Sequence, residues 1–237
     1  MLAVVDSKIP VQAAQSLELA GYSLLKIPPH PALPEPVSSH PDMLLFFGKD
    51  HVYTTTQYAS IAQKEIAEIL CETQKDLCIL EEEIGTDYPY DVLLNSFLLG
   101  ERLSCHPTAT AAKIRASEGT NILSMRQGYA KCSAIPIGRN ALITADPSVE
   151  RIARLDGIDV LMLEQHGVRL EGYDTGFIGG AASFSPYENH RVIYFCGDLH
   201  RHPQGAEIQR FCEERGYTCT SLAPIPLTDV GTIIILP

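Results

Sequence analysis

The sequence predicts an α/β protein, a five-bladed β/α propeller built from β-β-α-β units around a pseudo-fivefold axis. The first observation is a phrase that occurs four times, in which a proline opens a helix, a glycine follows its end and an apolar strand comes next. The second is a pair of short apolar segments before each predicted helix. A repeat of about 47 residues, one fifth of the chain, indicates a repetitive architecture.

Proline and glycine mark the ends of the predicted helices. The four copies of the phrase span residues 10–27, 107–125, 147–163 and 203–222. Proline suits the first helical turn because its missing amide hydrogen would have no partner there, and glycine suits the left-handed conformation beyond a helix end. Asp146 precedes Pro147 and is a predicted N-cap. A fifth predicted helix, residues 60–70, lacks both the proline and the glycine.

Two strands are predicted before each helix and one after it. The strand pairs are 43–47 with 51–56, 92–96 with 97–103, 132–137 with 141–144, 175–178 with 191–196, and 231–236 with 2–6. The predicted units of this single domain, residues 1–237, are approximately 42–80, 91–126, 131–164, 174–223, and 229–237 joined to 1–28. Pairing of the two chain ends would close the ring and protect edge strands. An open doubly wound sheet is the alternative, and strand pairs without an intervening helix fit it poorly.

Composition narrows the functional classes. The net charge of −11 and the lack of a basic run argue against a nucleic-acid partner, and no apolar run reaches the roughly 20 residues that a membrane helix needs. Seven cysteines without regular spacing, and an N-terminus without a signal pattern, predict a reducing cytoplasm. No cofactor is predicted, because the glycine-rich run around Phe177 lacks a phosphate-binding motif and indicates close backbone packing instead.

A polar residue precedes the first strand of every predicted unit, namely Asp42, Asp91, Lys131, Asp174 and Asp229. If the five first strands surround an axis, these side chains converge on it. Four carboxylates in one pocket would raise one another's pKa and would favour a cation among them, such as a guanidinium or ammonium group. The sequence therefore predicts a small cationic ligand, although an aspartate before a strand is also a common turn residue.

This pattern resembles the pentein fold, the five-bladed β/α propeller of enzymes that modify guanidino groups. They include arginine and agmatine deiminases, dimethylarginine dimethylaminohydrolase and the amidinotransferases, and a ribosome anti-association factor that is not an enzyme has the same fold. The resemblance covers the whole chain in topology and only short motifs in residues. It is narrowest to an uncharacterised bacterial branch of the superfamily, and it implies an arginine- or agmatine-like ligand.

The resemblance assigns roles by position. In the hydrolases the aspartate of a Gly-Gly-Asp-Val motif contacts the guanidinium, and Asp91 stands at that place in chain order. Asp174, two units later, has the more similar local sequence. The family's catalytic histidine would fall near Lys131 and its nucleophilic cysteine within residues 231–235, but neither residue type is present there. The resemblance therefore implies that Cys-His covalent catalysis has been lost.

A second hypothesis keeps catalysis and makes the protein an amidine or amide hydrolase. Cys132 follows Lys131, a cation that would lower the pKa of its thiol, and His40 or His166 would serve as the base. The other interpretation of Cys132 is a small buried apolar residue. A third hypothesis is a non-enzymatic interaction protein of the same fold, which a missing axial pocket and a contiguous apolar surface would favour.

Potential metal ligands are concentrated before the last predicted helix. Cys196, Asp198, His200 and His202 lie within seven residues of one another. Their spacing matches no closed zinc set, and His202 directly precedes the proline that opens the helix. We therefore predict a capping loop and no metal.

Overall fold

The computed structural model describes residues 1–164 and 167–237 of the protein. Its helices are α1 (Val11–Leu19), α2 (Pro41–Leu44), α3 (Thr56–Ile61), α4 (Gln63–Thr73), α5 (Ala112–Glu118), α6 (Pro147–Leu155) and α7 (Gly205–Glu213). Its strands are β1 (Leu2–Asp6), β2 (Ser23–Ile27), β3 (Phe46–Phe47), β4 (His51–Thr55), β5 (Asp76–Leu80), β6 (Phe97–Leu99), β7 (Arg102–Cys105), β8 (Ile122–Ser124), β9 (Ala134–Ile137), β10 (Ala141–Thr144), β11 (Asp159–Met162), β12 (Val168–Arg169), β13 (Ser183–Phe184), β14 (Val192–Phe195), β15 (Thr218–Ser221), β16 (Leu227–Thr228) and β17 (Ile233–Leu236). None of the helices in these two ranges combines the length and hydropathy that a membrane span requires.

Three small sheets repeat one plan. Their strand orders are β3-β4-β5, β6-β7-β8 and β9-β10-β11. In each sheet the first two strands form an antiparallel hairpin and the last two are parallel. A parallel pair needs a long crossover connection, and a helix supplies it each time. These sheets are the predicted β-β-α-β units.

The two chain ends form a sheet together. Strand β1 pairs antiparallel with β17, with Leu2 opposite Leu236 and Val4 opposite Ile234, and it pairs parallel with β2 across α1. The prediction that the terminal strands close the ring is confirmed. Strand β13 adds to the other side of β17, so the chain end is enclosed between two strands and is not a free edge.

The first strands of the units begin later than predicted. Residues 41–44 form α2, which begins at the helix-compatible Pro41, and residues 90–92 form a 3-10 turn. The predicted strand 175–178 has no regular structure, and β13 takes its place. Glycine explains this last difference, because a Cβ at Gly179 would overlap with the carbonyl oxygens of three residues of the neighbouring unit. Close backbone packing is found at Gly179 and Gly176, whereas Gly180 packs on the side chain of Asp229 and Gly172 makes only an ordinary contact with Pro36.

Most of the helix ends lie close to the positions that proline and glycine predicted. Asp146 caps α6, with its Oδ1 accepting hydrogen bonds from the backbone N–H groups of Ser148 and Val149 at 2.7 and 3.1 Å. The glycines after α1, α6 and α7 have φ values of 91°, 74° and 76°. Gly119 after α5 has φ −85°. Residues 60–70 belong to two helices, α3 and α4, and α5 and α7 begin five and two residues after their predicted starts at 107 and 203.

Apolar burial holds the helices on the outside of the sheets. Leu17 of α1, Ile69 of α4, Ile114 of α5 and Val149 of α6 are completely buried. Each such side chain contributes about 1.5–3 kcal/mol through its removal from water. Polar side chains lie at the inner ends of the strands and are also buried.

Candidate functional site

Polar side chains from several units and from both chain ends meet in the interior, and we call this set the hub. Its members are at most 4% exposed: Asp6, His40, Asp42, Asn95, Lys131, Cys132, Asp229 and Thr232. Three of the predicted aspartate and lysine positions are among them, together with His40 and Cys132. Sequence reasoning missed Asp6, Asn95 and Thr232.

Asn95 ties Cys132 to Asp42. The Asn95 side-chain amide donates to Cys132 Sγ at 2.9 Å and to the Asp42 carbonyl oxygen at 3.2 Å. Its oxygen accepts from the backbone N–H groups of Lys131 and Cys132 at 2.8 and 3.2 Å. Cys132 Sγ in turn donates to Asp42 Oδ2 at 3.2 Å. The thiol is therefore a hydrogen-bond donor in a fixed network, which is the role of a protonated sulfur.

Thr232 bridges Lys131 and Asp42. Lys131 Nζ donates to Thr232 Oγ1 at 3.0 Å, and that hydroxyl donates to Asp42 Oδ2 at 2.7 Å. Thr232 has φ 70°, a conformation that costs a β-branched residue on the order of 1–2 kcal/mol. Such strain persists only where the surroundings impose it, and here it aims the hydroxyl at both charged groups.

The sequence predicted that a cationic ligand would lie among the central carboxylates. In the structure the side chain of Lys131 supplies this positive charge. Burial lowers the pKa of its ammonium group, and the negative charges of Asp42 and Asp229 oppose that shift. Burial likewise raises the pKa of Asp42, and Lys131 is among the groups that counteract it. The chain thus neutralises its own central carboxylates, because an internal lysine lies where a guanidinium was predicted to bind.

His40 faces carboxylates and not the thiol. Its Nε2 lies 3.5 Å from Asp6 Oδ2 and its Nδ1 lies 3.9 Å from Asp229 Oδ1. Burial lowers the pKa of the ring, which favours the neutral imidazole, although Asp42 and Asp6 oppose the shift. Within the described residues no hydrogen bond joins His40 to Cys132, so the predicted base is not placed to activate the predicted nucleophile.

Asp229 is held by backbone groups. Its Oδ2 accepts from the Phe177 N–H at 2.8 Å and its Oδ1 from the Gly231 N–H at 3.0 Å. Burial nevertheless raises its pKa to about 6, because loss of hydration outweighs these hydrogen bonds. A Cβ at Gly180 would overlap with the Asp229 carboxylate, so glycine at this position is what admits the side chain.

The cavity within the hub is very small. It has a volume of about 10 Å³ and is lined by Asp42, Lys131, Thr232 and apolar side chains, among them Phe47 and Phe184. That volume is about the space of one water molecule. Asp42 Oδ1 is buried without a hydrogen-bond partner. The hub cavity therefore has the volume of one water molecule, which is too small for a guanidinium group.

Asp91 lies outside this network, in a cluster of aromatic rings. The Tyr129 hydroxyl donates to Asp91 Oδ2, and Asp91 Oδ1 is buried without a partner. The Tyr129 ring stacks on Phe177 with centroids 5.6 Å apart, and the Tyr88 ring lies 6.2 Å away on a tilted approach. Burial raises the pKa of Asp91, whereas hydrogen bonds from Tyr129 and from the backbone N–H of Asp91 itself oppose the shift. We call Asp91, Tyr88, Tyr129 and Phe177 the aromatic-carboxylate cluster.

Two further candidates are not part of the hub. Asp174 is exposed, in a loop of turns and bends, so the predicted meeting of four carboxylates is corrected: Asp42 and Asp229 are in the hub, Asp91 lies in the aromatic-carboxylate cluster and Asp174 faces solvent. The reason is that unit four lacks the predicted strand that would have turned Asp174 inward. His166 lies outside the described residues.

The histidine-rich loop before α7 has a capping role. Asp198 Oδ1 accepts from the His200 N–H at 3.0 Å, and His202 Nδ1 accepts from the Gln204 N–H at 3.1 Å. In residues 1–164 and 167–237 no group of three or more His, Cys, Asp or Glu side chains is arranged to hold a metal ion.

Cys132 is expected to resist alkylation in the native protein. Burial raises the pKa of its thiol well above the usual range, and Asp42 and Asp229 raise it further, which reverses the predicted effect of Lys131. We expect iodoacetamide to modify the exposed Cys71 first and Cys132 only on unfolding, as measured by peptide mass spectrometry with Cys71→Ser and Cys132→Ser as controls. Native Cys132 reacting faster than a free thiol would contradict this and favour the hydrolase hypothesis.

Comparisons with known proteins agree with this architecture. The structure of DDAH from Pseudomonas aeruginosa, a mutant complexed with citrulline, superimposes with a TM-score of 0.55 at 10% identity, covering 93% of this chain and 91% of that one. Agmatine deiminase from C. jejuni superimposes with a TM-score of 0.54 at 8% identity, covering 94% and 87%. At these identities the similarity shows the fold, and the predicted pentein fold is confirmed.

Sequence comparison gives a family without an assigned activity. No curated protein matches the sequence. The model of a family of unknown function, DUF6873, matches residues 4–234. Because this match extends over nearly the whole chain, the protein belongs to the family of unknown function DUF6873.

Proposed function

We propose that the protein binds a small guanidino or amidino cation at the aromatic-carboxylate cluster, without covalent chemistry at Cys132. The observation that carries this proposal is Asp91 Oδ1, a buried carboxylate oxygen without a hydrogen-bond partner. A buried polar atom of this kind costs on the order of 1–3 kcal/mol. A ligand that donates hydrogen bonds to it would recover that free energy.

The surroundings of Asp91 suit a flat cation. A guanidinium or amidinium group donates parallel hydrogen bonds to a carboxylate, and its face is attracted to aromatic rings by about 0.5–2 kcal/mol. Tyr129 contacts the carboxylate through its hydroxyl, and Phe177 stacks on the Tyr129 ring. Tyr88 is the outermost ring and is 52% exposed, whereas Asp91 is 6% exposed, so the proposal requires the side chains around Asp91 to move when a ligand enters.

The hub is a poor site for the same ligand. Lys131 already supplies a cation to the Asp42 carboxylate through the hydroxyl of Thr232. A cation entering the hub would have to displace the ammonium group of Lys131 from its bond to Thr232. We therefore assign the predicted ligand to Asp91 alone among the four aspartates.

The relatives support the class of ligand. The similar DDAH structure contains citrulline, whose ureido group has the planar shape of a guanidinium, and the other similar structure is an agmatine deiminase. Asp91 also stands where the pentein resemblance places the aspartate that contacts the guanidinium. We do not extend covalent chemistry to this chain, because burial and Asp42 raise the pKa of the Cys132 thiol well above its usual range and the predicted base His40 faces Asp6 and Asp229.

The test is calorimetric titration of the protein with agmatine, arginine and benzamidine. We expect binding of at least one of them, and we expect Asp91→Asn to weaken it about tenfold or more, as for loss of a charged hydrogen-bond partner. Asn can still accept from the Tyr129 hydroxyl, which protects the fold. Asp174→Asn is the matched control and is expected to bind as the wild type does.

Two results would overturn the proposal. One is the absence of binding heat for all three compounds together with an unchanged Tm at millimolar ligand. The other is equal affinity of the wild type and Asp91→Asn. Ligand turnover that is lost in Cys132→Ser would instead establish the hydrolase hypothesis.

A further inference from the structure

A second cavity lies at the end of strands β3, β6 and β9 that is farther from the hub. Asp42, Asn95 and Lys131 precede β3, β6 and β9, whereas Gly48, Gly100 and Gly138 follow them at the hairpin turns. A cavity of about 400 Å³ lies among these turns and the segment 183–193. We call it the hairpin pocket. Its volume is in the range of small-molecule sites.

The rim of the hairpin pocket is built by turns that pack on one another. Gly100 and Gly138 have φ values of 58° and 60°, which glycine adopts without a Cβ clash. A Cβ at Gly100 would lie 3.0 Å from the Arg139 carbonyl oxygen, so neighbouring turns are in close contact. Lys75 Nζ donates to the Gly48 carbonyl oxygen at 2.8 Å. These contacts fix the rim before any ligand arrives.

The floor of the hairpin pocket is apolar. Phe47 and Phe184 line both this pocket and the small cavity of the hub, so their rings separate the two spaces. Further apolar lining comes from Leu98, Pro136, Pro186, Val192 and Ile193. A ligand that fills this pocket therefore needs an apolar body, and its polar group has to face the rim.

The rim carries a positive charge on an acidic protein. Lys49, Lys75, Arg139 and Arg191 line the pocket with only Glu101 and Glu188 as carboxylates, whereas the chain has a net charge of −11. Both glutamates are already engaged: Glu101 accepts from Lys49 at 2.8 Å and from Arg139 at 3.1 Å, and Glu188 pairs with Arg139.

Two groups of the rim have unused hydrogen-bonding capacity among the described residues. Within the described residues Arg191 pairs with no carboxylate, and its guanidinium lies over the Tyr217 ring at 4.9 Å. His190 Nε2 is enclosed without a hydrogen-bond partner. A carboxylate would accept from Arg191 and, when this nitrogen carries its proton, from His190, which would supply both missing interactions.

We propose that the hairpin pocket binds a small organic anion with a planar apolar body, of the class of aromatic carboxylates. Its carboxylate would pair with Arg191 and His190 at the rim, and its ring would rest on the floor formed by Phe47 and Phe184. This site is independent of Asp91, because the two lie at opposite ends of the first strands and share no residue.

The experiment uses two probes of the same shape and opposite charge, benzoate and benzamidine, with binding followed by saturation-transfer NMR on the intact chain. We expect benzoate to bind the wild type, and we expect Arg191→Gln to weaken it about tenfold or more. Arg191 is exposed, so this variant is expected to fold. Arg151→Gln, an exposed arginine of α6, is the matched control and should bind benzoate normally.

The two proposals can fail separately. Benzoate binding that persists in Asp91→Asn, with benzamidine unable to displace it, supports a distinct anion site. The proposal for the hairpin pocket is overturned if millimolar benzoate shows no transfer to the wild type, if Arg191→Gln binds it as tightly, or if benzamidine competes for the same site. None of these results depends on whether a guanidino compound binds at Asp91.

Discussion

Replacing Lys131 by methionine is expected to lower the free energy of unfolding by about 3–5 kcal/mol at pH 7, the order of cost for removing the cation from a buried network of charges. Lys131 is 3% exposed and donates to Thr232, which donates to Asp42. Methionine fills a similar volume, so the loss would come from the carboxylates of Asp42 and Asp229, which would stay buried without a cation. Urea denaturation followed by circular dichroism measures the change.

A second substitution separates charge from packing. Lys131→Met combined with Asp42→Asn removes the lysine and one of the two carboxylates that it faces, so that only Asp229 remains without a cation, and replacement of buried charges by neutral groups is often close to neutral in stability. We expect the double variant to recover most of the loss. Lys64→Met, at an exposed position on α4, controls for the surface effect of the substitution. If the single and double hub variants were equally unstable, the charge argument would fail.

The pH dependence of the loss has a definite sign. The pKa of Asp229 is raised in the folded protein from 3.8 to about 6, so between these values the native state binds more protons than the unfolded state. The stabilising contribution of this protonation is fully present below pH 3.8 and is lost as the pH rises through about 6. Because protonated carboxylates need no cation, the difference between Lys131→Met and the wild type should shrink from pH 7 to pH 5.

The repeat made the architecture predictable. Proline and glycine limit where a helix can begin and end, and the pair of strands before each helix gives the β-β-α-β order. Because the last unit is completed by strands from both chain ends, the pairing of β1 with β17 could be predicted from this pattern. The exact strand starts did not follow. Apolar runs such as 92–96 suit a strand, a turn or a buried loop equally well, and the contacts of Asn95 with Asp42 and Cys132 decide the outcome.

The site was predictable only in part, because burial and side-chain direction are set by tertiary packing. The positions before the first strands place Asp42, Lys131 and Asp229 in the hub, where Lys131 and Asp42 share Thr232 and Asp229 lies near His40. The pattern could not show that Lys131 would neutralise the aspartates and leave no room for a ligand. Two signals could have indicated more: Asn95 is an isolated amide in an apolar run, and Thr232 is the one polar residue in the stretch 231–235 where the pentein enzymes have their nucleophile.

Gly231→Ala is expected to cost about 2–5 kcal/mol, from strain and overpacking together. Gly231 has φ 63°, a conformation that an L-residue adopts at a cost. A Cβ at this position would also overlap with the Cβ of His40, the fixed root of a buried side chain that cannot rotate away. Since the Gly231 N–H donates to Asp229, the shift needed to relieve the overlap would also disturb the hub. Thermal and urea unfolding measure the loss.

Gly157→Ala isolates the contribution of close packing. Gly157 follows α6 with φ 74°, and a Cβ there would meet nothing within 4 Å, so its substitution should cost only the conformational term of about 1–2 kcal/mol. The difference between the stability losses of Gly231→Ala and Gly157→Ala then measures how closely the backbone before β17 packs against His40. A large excess means that the hub is closed by backbone packing and that a ligand cannot enter it without moving β17. Equal losses would show that the hub can yield, and they would reopen it as a binding site for a small cation.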